Sequence, residues 1–174
     1  MEKENKTVMK KFKIEKVILN IGGTGEKLDK GVILLEKISG EKPVKVKATK
    51  RIPTWQVRPG LEVGTKVTLR GKKAESILRK LLPAVDNTLK EKQVQDNFFS
   101  FGIHEYIEIP GVDYIREVGI MGFEVTAVFS RPGKYTIIKK VKRGKRPKRV
   151  NVLKEEIIGY LESQFKTKIL RGKK

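Results

Sequence analysis

The 174-residue chain has no cysteine and a single histidine, His104. The first absence excludes a disulfide framework, a thiol nucleophile and a Cys-ligated zinc or iron–sulfur site. The second excludes a multi-histidine metal site and a two-histidine catalytic pair. No apolar run approaches the roughly 20 residues of a membrane span. The opening Met1–Lys6 lacks the apolar stretch of a signal peptide. Aromatic residues are sparse, at 7%, with one tryptophan, Trp55. Apolar residues make up 38%, enough for one core but below the usual globular share. The expectation is one soluble, cytoplasmic domain with no metal, no cofactor and no membrane contact.

Acid is the other scarcity. The chain carries 40 Lys and Arg against 20 Asp and Glu, a net charge of +20. The excess is segregated. Residues 1–40 carry +3, 41–80 carry +9, 81–130 carry −5, 131–150 carry +10 and 151–174 carry +3. Such a pattern points to one basic surface facing a polyanion and one surface turned elsewhere. The plainer reading of 131–150 is a solvated loop, but ten like charges repel unless something neutralises them.

Hydrophobic periodicity places the elements. Residues 12–21 read as a strand, with Val17, Leu19 and Ile21 on one face and Ile18 and Asn20 on the other. Leu28, Val32, Leu35 and Ile38 predict a helix over 26–39, closed by Gly40. Residues 43–49 alternate, with Val44, Val46 and Ala48 read as inward and Lys45, Lys47 and Thr49 as outward. A long loop with two prolines fills 50–62, and 63–70 alternate again, with Lys66, Thr68 and Arg70 outward. A helix follows over 72–82 and stops at Pro83. Residues 85–97 read as loop or a short helix. Residues 98–109 read as strand, or strand then turn, and 120–129 as a core strand. A short extended piece is expected at 135–138 in the basic segment, and a last helix over 151–165 with Asn151 as its N-cap.

Strands with one polar face and helices with one apolar stripe give an α+β fold of two layers. A largely antiparallel sheet carries helices on one face and leaves the other open. The open face is expected to hold Asn20, Lys45, Lys47, Thr49, Lys66, Thr68 and Arg70. The organisation expected is a flexible arm over 1–11, one RNA-binding domain over 12–165 with 131–150 as a basic extension, and a basic tail over 166–174.

Other features admit two readings each. Gly22-Gly23-Thr24-Gly25 stands between a strand and a helix, where backbone N–H groups cradle phosphate. Neither the Rossmann nor the Walker spacing is present, so the favoured reading is a strand-to-helix turn that needs positive φ. His104 beside Glu105 assembles no catalytic set, and no small-molecule substrate is implied. Trp55 sits among Lys50, Arg51 and Arg58. It either anchors its loop to the core or stacks on a base while the cations hold phosphate. Lys139–Arg149 is polybasic, and the choices are a membrane patch, a nuclear signal or RNA. No lipid anchor or amphipathic helix accompanies it, which favours RNA.

Four motifs occur in order: Lys16-Val17-Ile18-Leu19-Asn20-Ile21-Gly22, Ile38-Ser39-Gly40-Glu41-Lys42-Pro43-Val44, Gly64-Thr65-Lys66-Val67-Thr68-Leu69-Arg70-Gly71 and Asn97-Phe98-Phe99-Ser100-Phe101-Gly102-Ile103. Together, across about residues 10–165, the chain resembles the large-subunit ribosomal protein five family, in its archaeal form. The resemblance implies a structural protein, not an enzyme, whose open sheet face docks on 5S rRNA in the central protuberance. It implies 5S contacts at Asn20 and Thr68, beside the sheet cations Lys45, Lys47, Lys66 and Arg70 and the hydroxyl of Thr49. The family usually has glutamine where this chain has Glu41, a carboxylate that cannot donate to RNA. Lys50, Arg51, Trp55, Gln56 and Arg58 map to a loop that contacts P-site tRNA. Lys140, Lys142 and Arg143, in the basic extension, are expected to meet the larger rRNA and to order on binding. A small-subunit head protein is expected at 109–120. The alternative from another class is a nucleotide-handling or polynucleotide-processing enzyme using the Gly22–Gly25 turn.

Overall fold

The computed structural model describes residues 10–145 and 147–170. The arm expected over 1–11 therefore lies outside the described residues except for its last two positions. The first strand, β1 (Lys13–Gly22), leads to α1 (Glu26–Ser39), and β2 (Val44–Lys47) and β3 (Glu62–Leu69) follow. Next come α2 (Lys72–Leu81), β4 (Thr88–Lys90), β5 (Val94–Gln95), β6 (Phe98–Ile103) and β7 (Phe123–Ser130). A short α3 (Tyr135–Ile138), α4 (Lys154–Phe165) and β8 (Lys168–Leu170) complete the order. Six strands form one sheet in the order β2-β3-β1-β7-β6-β5, with every neighbouring pair antiparallel.

One face of this sheet is apolar because the strands alternate. Val17, Leu19 and Ile21 of β1 point the same way as Val67 and Leu69 of β3, Val125, Ala127 and Phe129 of β7, and Phe99 and Phe101 of β6. The helices cover that face. α1 contributes Leu28, Leu34, Leu35 and Ile38, α2 contributes Ala74, Ile77, Leu78 and Leu81, and α4 contributes Ile157, Leu161 and Phe165. Each fully buried leucine contributes about 1.5–3 kcal/mol relative to exposure. α1 comes close to the sheet through Gly31, where a Cβ would stand 3.2 Å from both Ile21 Cγ2 and Thr65 Cγ2. Gly40 closes α1 in the left-handed conformation, as its position predicts.

Four expectations are corrected. Residues 85–97 hold a short helical turn, Glu91–Gln93, as one of the two readings expected, but they also contain β4 and β5, and β4 pairs in parallel with β8. The segment read as a tail from 166 therefore begins inside the fold, with Thr167 buried and Lys168–Leu170 hydrogen-bonded to Thr88–Lys90. Strands this short carry no alternation to read, and the partner lies about 80 residues away. Residues 135–138 form a helical turn, not an extended piece. The Pro132-Gly133 turn starts it, and Thr136 Oγ1 and Ile137 N–H donate to the Gly133 and Lys134 carbonyls. Local hydrogen bonds thus override the β-propensity of Thr-Ile-Ile. Asn151 does not cap α4. Its own N–H is tied to the Lys148 carbonyl, and α4 begins later, at Lys154. The cap comes from Asp96 Oδ1, which accepts from Lys154 N at 3.1 Å, and from Glu156 Oε2, which accepts from Leu153 N at 3.1 Å.

Candidate RNA-facing surfaces

The open face of the sheet is built by the same alternation that builds the core. Lys66 of β3 lies directly opposite Asn20 of β1, which lies opposite Glu124 of β7 and through it Gly102 of β6. One step along, Thr68, Ile18, Thr126 and Ser100 form a second row. Direct neighbours in such rows hold their Cβ atoms about 4.5–5.5 Å apart. A cation, a side-chain amide and three hydroxyls thus share one surface, with Asn20, Lys66 and Thr68 all exposed. Arg70 follows the end of β3 and is exposed as well. A groove of about 640 Å³ runs beside Asn20, with Gly22 and Gly102 at its floor and Gln93, Ser100 and Glu124 along it.

Lys45 is not on this face. The alternation in β2 is real, but its parity is the reverse of the sequence reading. Val44 lies opposite Lys66 and Val46 opposite Gly64, whereas Lys45 lies opposite the buried Thr65 on the helix side. Lys45 Nζ donates to Asp29 Oδ1 of α1 at 2.8 Å and stands 3.4 Å from Glu62 Oε2. Hydrogen bonds to Asp29 and then to Glu62 hold its ammonium above the ordinary lysine pKa. The physical reason is that β2 is an edge strand beyond the core, so Val44 can remain 60% exposed. Hydrophobicity therefore does not fix the parity; the hydrogen-bonded register with β3 puts Lys45 on the helix side, where Asp29 receives it. Lys47 pairs with Glu62 past a bulge, and Thr49 lies beyond the strand, beside the 50–60 loop and off the sheet rows.

Ser100, Thr126 and Glu124 are open-face residues that the sequence reading did not single out. Their signal was available, because Phe123, Val125, Ala127 and Phe129 facing the core require the even positions to face out. Glu41 forms an ion pair with Lys73 of α2, so its charge is already matched within the chain.

The loop from Ala48 to Leu61 is a built hairpin. Ala48 N–H donates to the Leu61 carbonyl at 2.8 Å and Gly60 N–H to the Ala48 carbonyl at 2.9 Å. Further out, Ile52 and Val57 exchange bonds of 2.9 and 3.1 Å. The tip is a single turn, Pro53–Trp55, with Gln56 in the left-handed conformation. Trp55 is 74% exposed, so it does not anchor the loop to the core. Lys50, Arg51, Gln56 and Arg58 are exposed around it.

The root of the basic extension is fixed by acids. Lys134 pairs with Glu15 of β1, and Arg131 Nη2 lies 2.5 Å from both carboxylate oxygens of Glu156 in α4. Burial alone would raise the Glu15 pKa, but the Lys134 hydrogen bond and charge, aided by Lys16 and Ser130, hold it below the ordinary value. Lys139, Lys140, Lys142, Arg143 and Lys145 lie beyond this root and are exposed.

The acidic stretch has two uses. Glu91 pairs with Lys154 at 2.9 Å and Asp96 caps α4, so both act inside the fold. The loop from His104 to Gly122 is held by Tyr106, whose buried hydroxyl oxygen accepts from Ile115 N at 2.8 Å. Its outer surface shows Ile107, Tyr114 and Ile120 among Glu105, Glu108, Asp113 and Glu117, all exposed.

The Gly22–Gly25 turn starts α1 with Gly25 at φ 60°. Glu26 and Asp29 occupy the first turn, so the helix N-terminus already faces carboxylates. Among the described residues no helix is long and apolar enough to cross a membrane, and no group of three or more His, Cys, Asp or Glu could hold a metal ion.

Comparison with known proteins places this architecture. Residues 7–58 match the family model of ribosomal protein L5, and residues 62–160 match the model of that ribosomal family's C-terminus. The large ribosomal subunit protein uL5 of Nanoarchaeum equitans is 48% identical over 165 residues, covering 93% of this chain and 98% of that protein. The uL5 of Sulfolobus acidocaldarius is 40% identical, covering 98% of each. That of Archaeoglobus fulgidus is 38% identical, covering 94% of each.

Proposed function

Because the chain belongs to the ribosomal protein L5 family, we propose that it binds 5S rRNA through the open face of its six-stranded sheet. It is a structural protein of the large ribosomal subunit, working in the cytoplasm, and not an enzyme. That membership removes the nucleotide-handling alternative built on Gly22–Gly25, and the carboxylates in the first turn of α1 agree.

The observation that carries the 5S reading is the pairing of Lys66 with Asn20 beside Thr68, on a sheet whose other face packs against α1, α2 and α4. Lys66 and Arg70 neutralise phosphates. Asn20, Thr68, Thr126 and Ser100 supply donors and acceptors for ribose and base edges. The groove beside Asn20 gives the RNA backbone room to approach.

Three further contacts belong to the same proposal. The basic extension, with Lys140, Lys142 and Arg143, meets the larger rRNA. The 50–60 hairpin, with Lys50, Arg51, Trp55, Gln56 and Arg58, meets P-site tRNA. The loop around 109–120, apolar with an acidic rim, meets a basic protein of the small-subunit head. Exposed Tyr114 and Ile120 with Asp113 and Glu117 support that last contact.

The test is binding of the purified protein to 5S rRNA and to a scrambled RNA of equal length across a salt series. Preference for 5S that persists at physiological salt is the expected result. Equal binding to both, falling steeply with salt, would leave only the net charge at work and would overturn the reading.

A further inference from the structure

The hairpin over 48–61 does more than display cations. Between it and the Gly23-Thr24 turn lies an open cleft of about 640 Å³. Ala48, Ile52, Val57 and Val63 make its lining largely apolar, Thr24 and Thr49 line it too, and the exposed Trp55 stands beside them. Lys50 lines the cleft as well, and Arg51 and Arg58 are exposed beside it in the hairpin. Among the described residues no carboxylate lines it.

We infer that this cleft receives a single unstacked nucleobase of an RNA strand, stacked on the Trp55 indole, while Lys50 and Arg51 hold the flanking phosphates. The inference rests on the proposal that this hairpin meets RNA and specifies what it takes from it. The argument is chemical. An indole that is 74% exposed beside apolar walls offers a flat, poorly hydrated surface, which an aromatic ring covers best. Two threonines in the lining, Thr24 and Thr49, put hydroxyl groups within the reach of the polar edge of a base, which an aliphatic chain would leave unused. Cations at the rim and walls free of acid select an anionic carrier of that ring. The hairpin bonds at Ile52–Val57 and Ala48–Leu61 form the cleft before any ligand arrives, so little ordering entropy opposes binding.

Trp55 is the only tryptophan, so its fluorescence reports this site and no other. The experiment titrates the full chain, at physiological salt, with a short single-stranded RNA and with the same RNA lacking one central base. The expected result is quenching of Trp55 by the intact RNA, with binding at this site roughly 5- to 150-fold weaker for the abasic strand. Ala48→Leu should fill the cleft and abolish the difference without changing charge; Trp55→Phe, which removes the only tryptophan and is therefore read by the anisotropy of end-labelled RNA, should retain it in part. Equal quenching by both strands would overturn the inference. So would a base-dependent signal that Ala48→Leu leaves unchanged. A second arm measures tRNA binding after Lys50, Arg51 and Arg58 are changed to glutamine. If that binding falls while intact and abasic strands behave alike, the hairpin meets RNA but the cleft holds no base. If tRNA binding is untouched, the assignment of this hairpin to tRNA fails, whatever the oligonucleotides show.

Discussion

Asn97 and Val152 are joined by two reciprocal hydrogen bonds. Asn97 N–H donates to the Val152 carbonyl at 3.0 Å, and Asn97 Oδ1 accepts from Val152 N–H at 2.9 Å. The Asn97 carbonyl accepts in turn from Phe129 N–H at 2.7 Å. Asn97, at a left-handed turn with φ 71°, thus ties the β5–β6 corner to the segment entering α4 through its N–H and side chain, and to β7 through its carbonyl. Asn97→Ala removes the acceptor of a part-buried N–H and places a less tolerant residue at positive φ. Stability should fall by about 1–3 kcal/mol. Urea unfolding of the pure protein measures it, and a change under about 0.5 kcal/mol, the range of an ordinary surface substitution, would remove Asn97 from this role.

Two glycines should respond differently to alanine. A Cβ at Gly122 would lie 2.5 and 2.6 Å from the His104 and Ile103 carbonyl oxygens, which belong to backbone and cannot turn away. A Cβ at Gly31 would lie 3.2 Å from two methyl groups, which can shift by a few tenths of an ångström. Gly122→Ala should cost about 1–3 kcal/mol or more, and Gly31→Ala less. Thermal unfolding of the two variants side by side decides the order, and a more stable Gly122→Ala would contradict the geometry.

The long elements were legible because burial writes a period into them. β1, α1, β3 and α2 all carry apolar residues at the spacing of a buried face, and their bounds agree with the sequence within a residue or two. Asn20, Lys66 and Thr68 were legible for the same reason, being the even positions of strands whose odd positions are core. Lys45 was not, because β2 is an edge strand with neither parity fully buried. Its partner Asp29 lies in another element. The Asp96 cap on α4 was hidden in the same way, since acceptor and helix are 58 residues apart. Sequence periodicity records burial against the core and is silent on pairings between distant polar groups.

The reversal of β2 makes a direct test of the open face. Thr68→Val leaves the core untouched, because Thr68 is exposed, and should weaken 5S rRNA binding by about 1–2 kcal/mol. Lys66→Gln should lower the salt slope of that binding by about one unit. Lys45→Gln should leave the slope unchanged, because its ammonium is held by Asp29 on the helix side. Filter binding across a salt series reads all three. A slope change for Lys45→Gln equal to that for Lys66→Gln would show that RNA reaches around the β2 edge.

The Glu15–Lys134 pair should make the basic extension sensitive to acid. The folded pKa of Glu15 lies below its ordinary value of 4.5, so its ionised form is favoured by folding. That contribution is complete above about pH 4.5 and is lost as pH falls through the lower, folded value. Protection of the Ile137 and Gly144 amides, which bond to the Lys134 and Thr136 carbonyls, should therefore drop at acid pH. In Glu15→Gln it should already be low at neutral pH. Hydrogen exchange, expressed as protection factors, tests this. Equal protection in the two proteins at neutral pH would mean that the Arg131–Glu156 pair alone fixes the root.

The extension and the sheet face should separate when the distal cations are removed. Lys142 is in the left-handed conformation, φ 53°, so asparagine is, after glycine, the neutral residue that best tolerates its backbone. Lys140→Gln, Lys142→Asn and Arg143→Gln together leave the Lys134 and Arg131 pairs intact, so the root should stay in place. If these cations meet phosphates of the larger rRNA, the salt slope for that RNA should fall by about 2–3 units. Isolated 5S rRNA should bind as before, because Asn20, Lys66 and Thr68 are unchanged. Collapse of 5S binding, with the larger rRNA unaffected, would assign the two surfaces the other way round. The extension would then be the 5S site, and the exposed row on β3 and β1 would face the larger RNA.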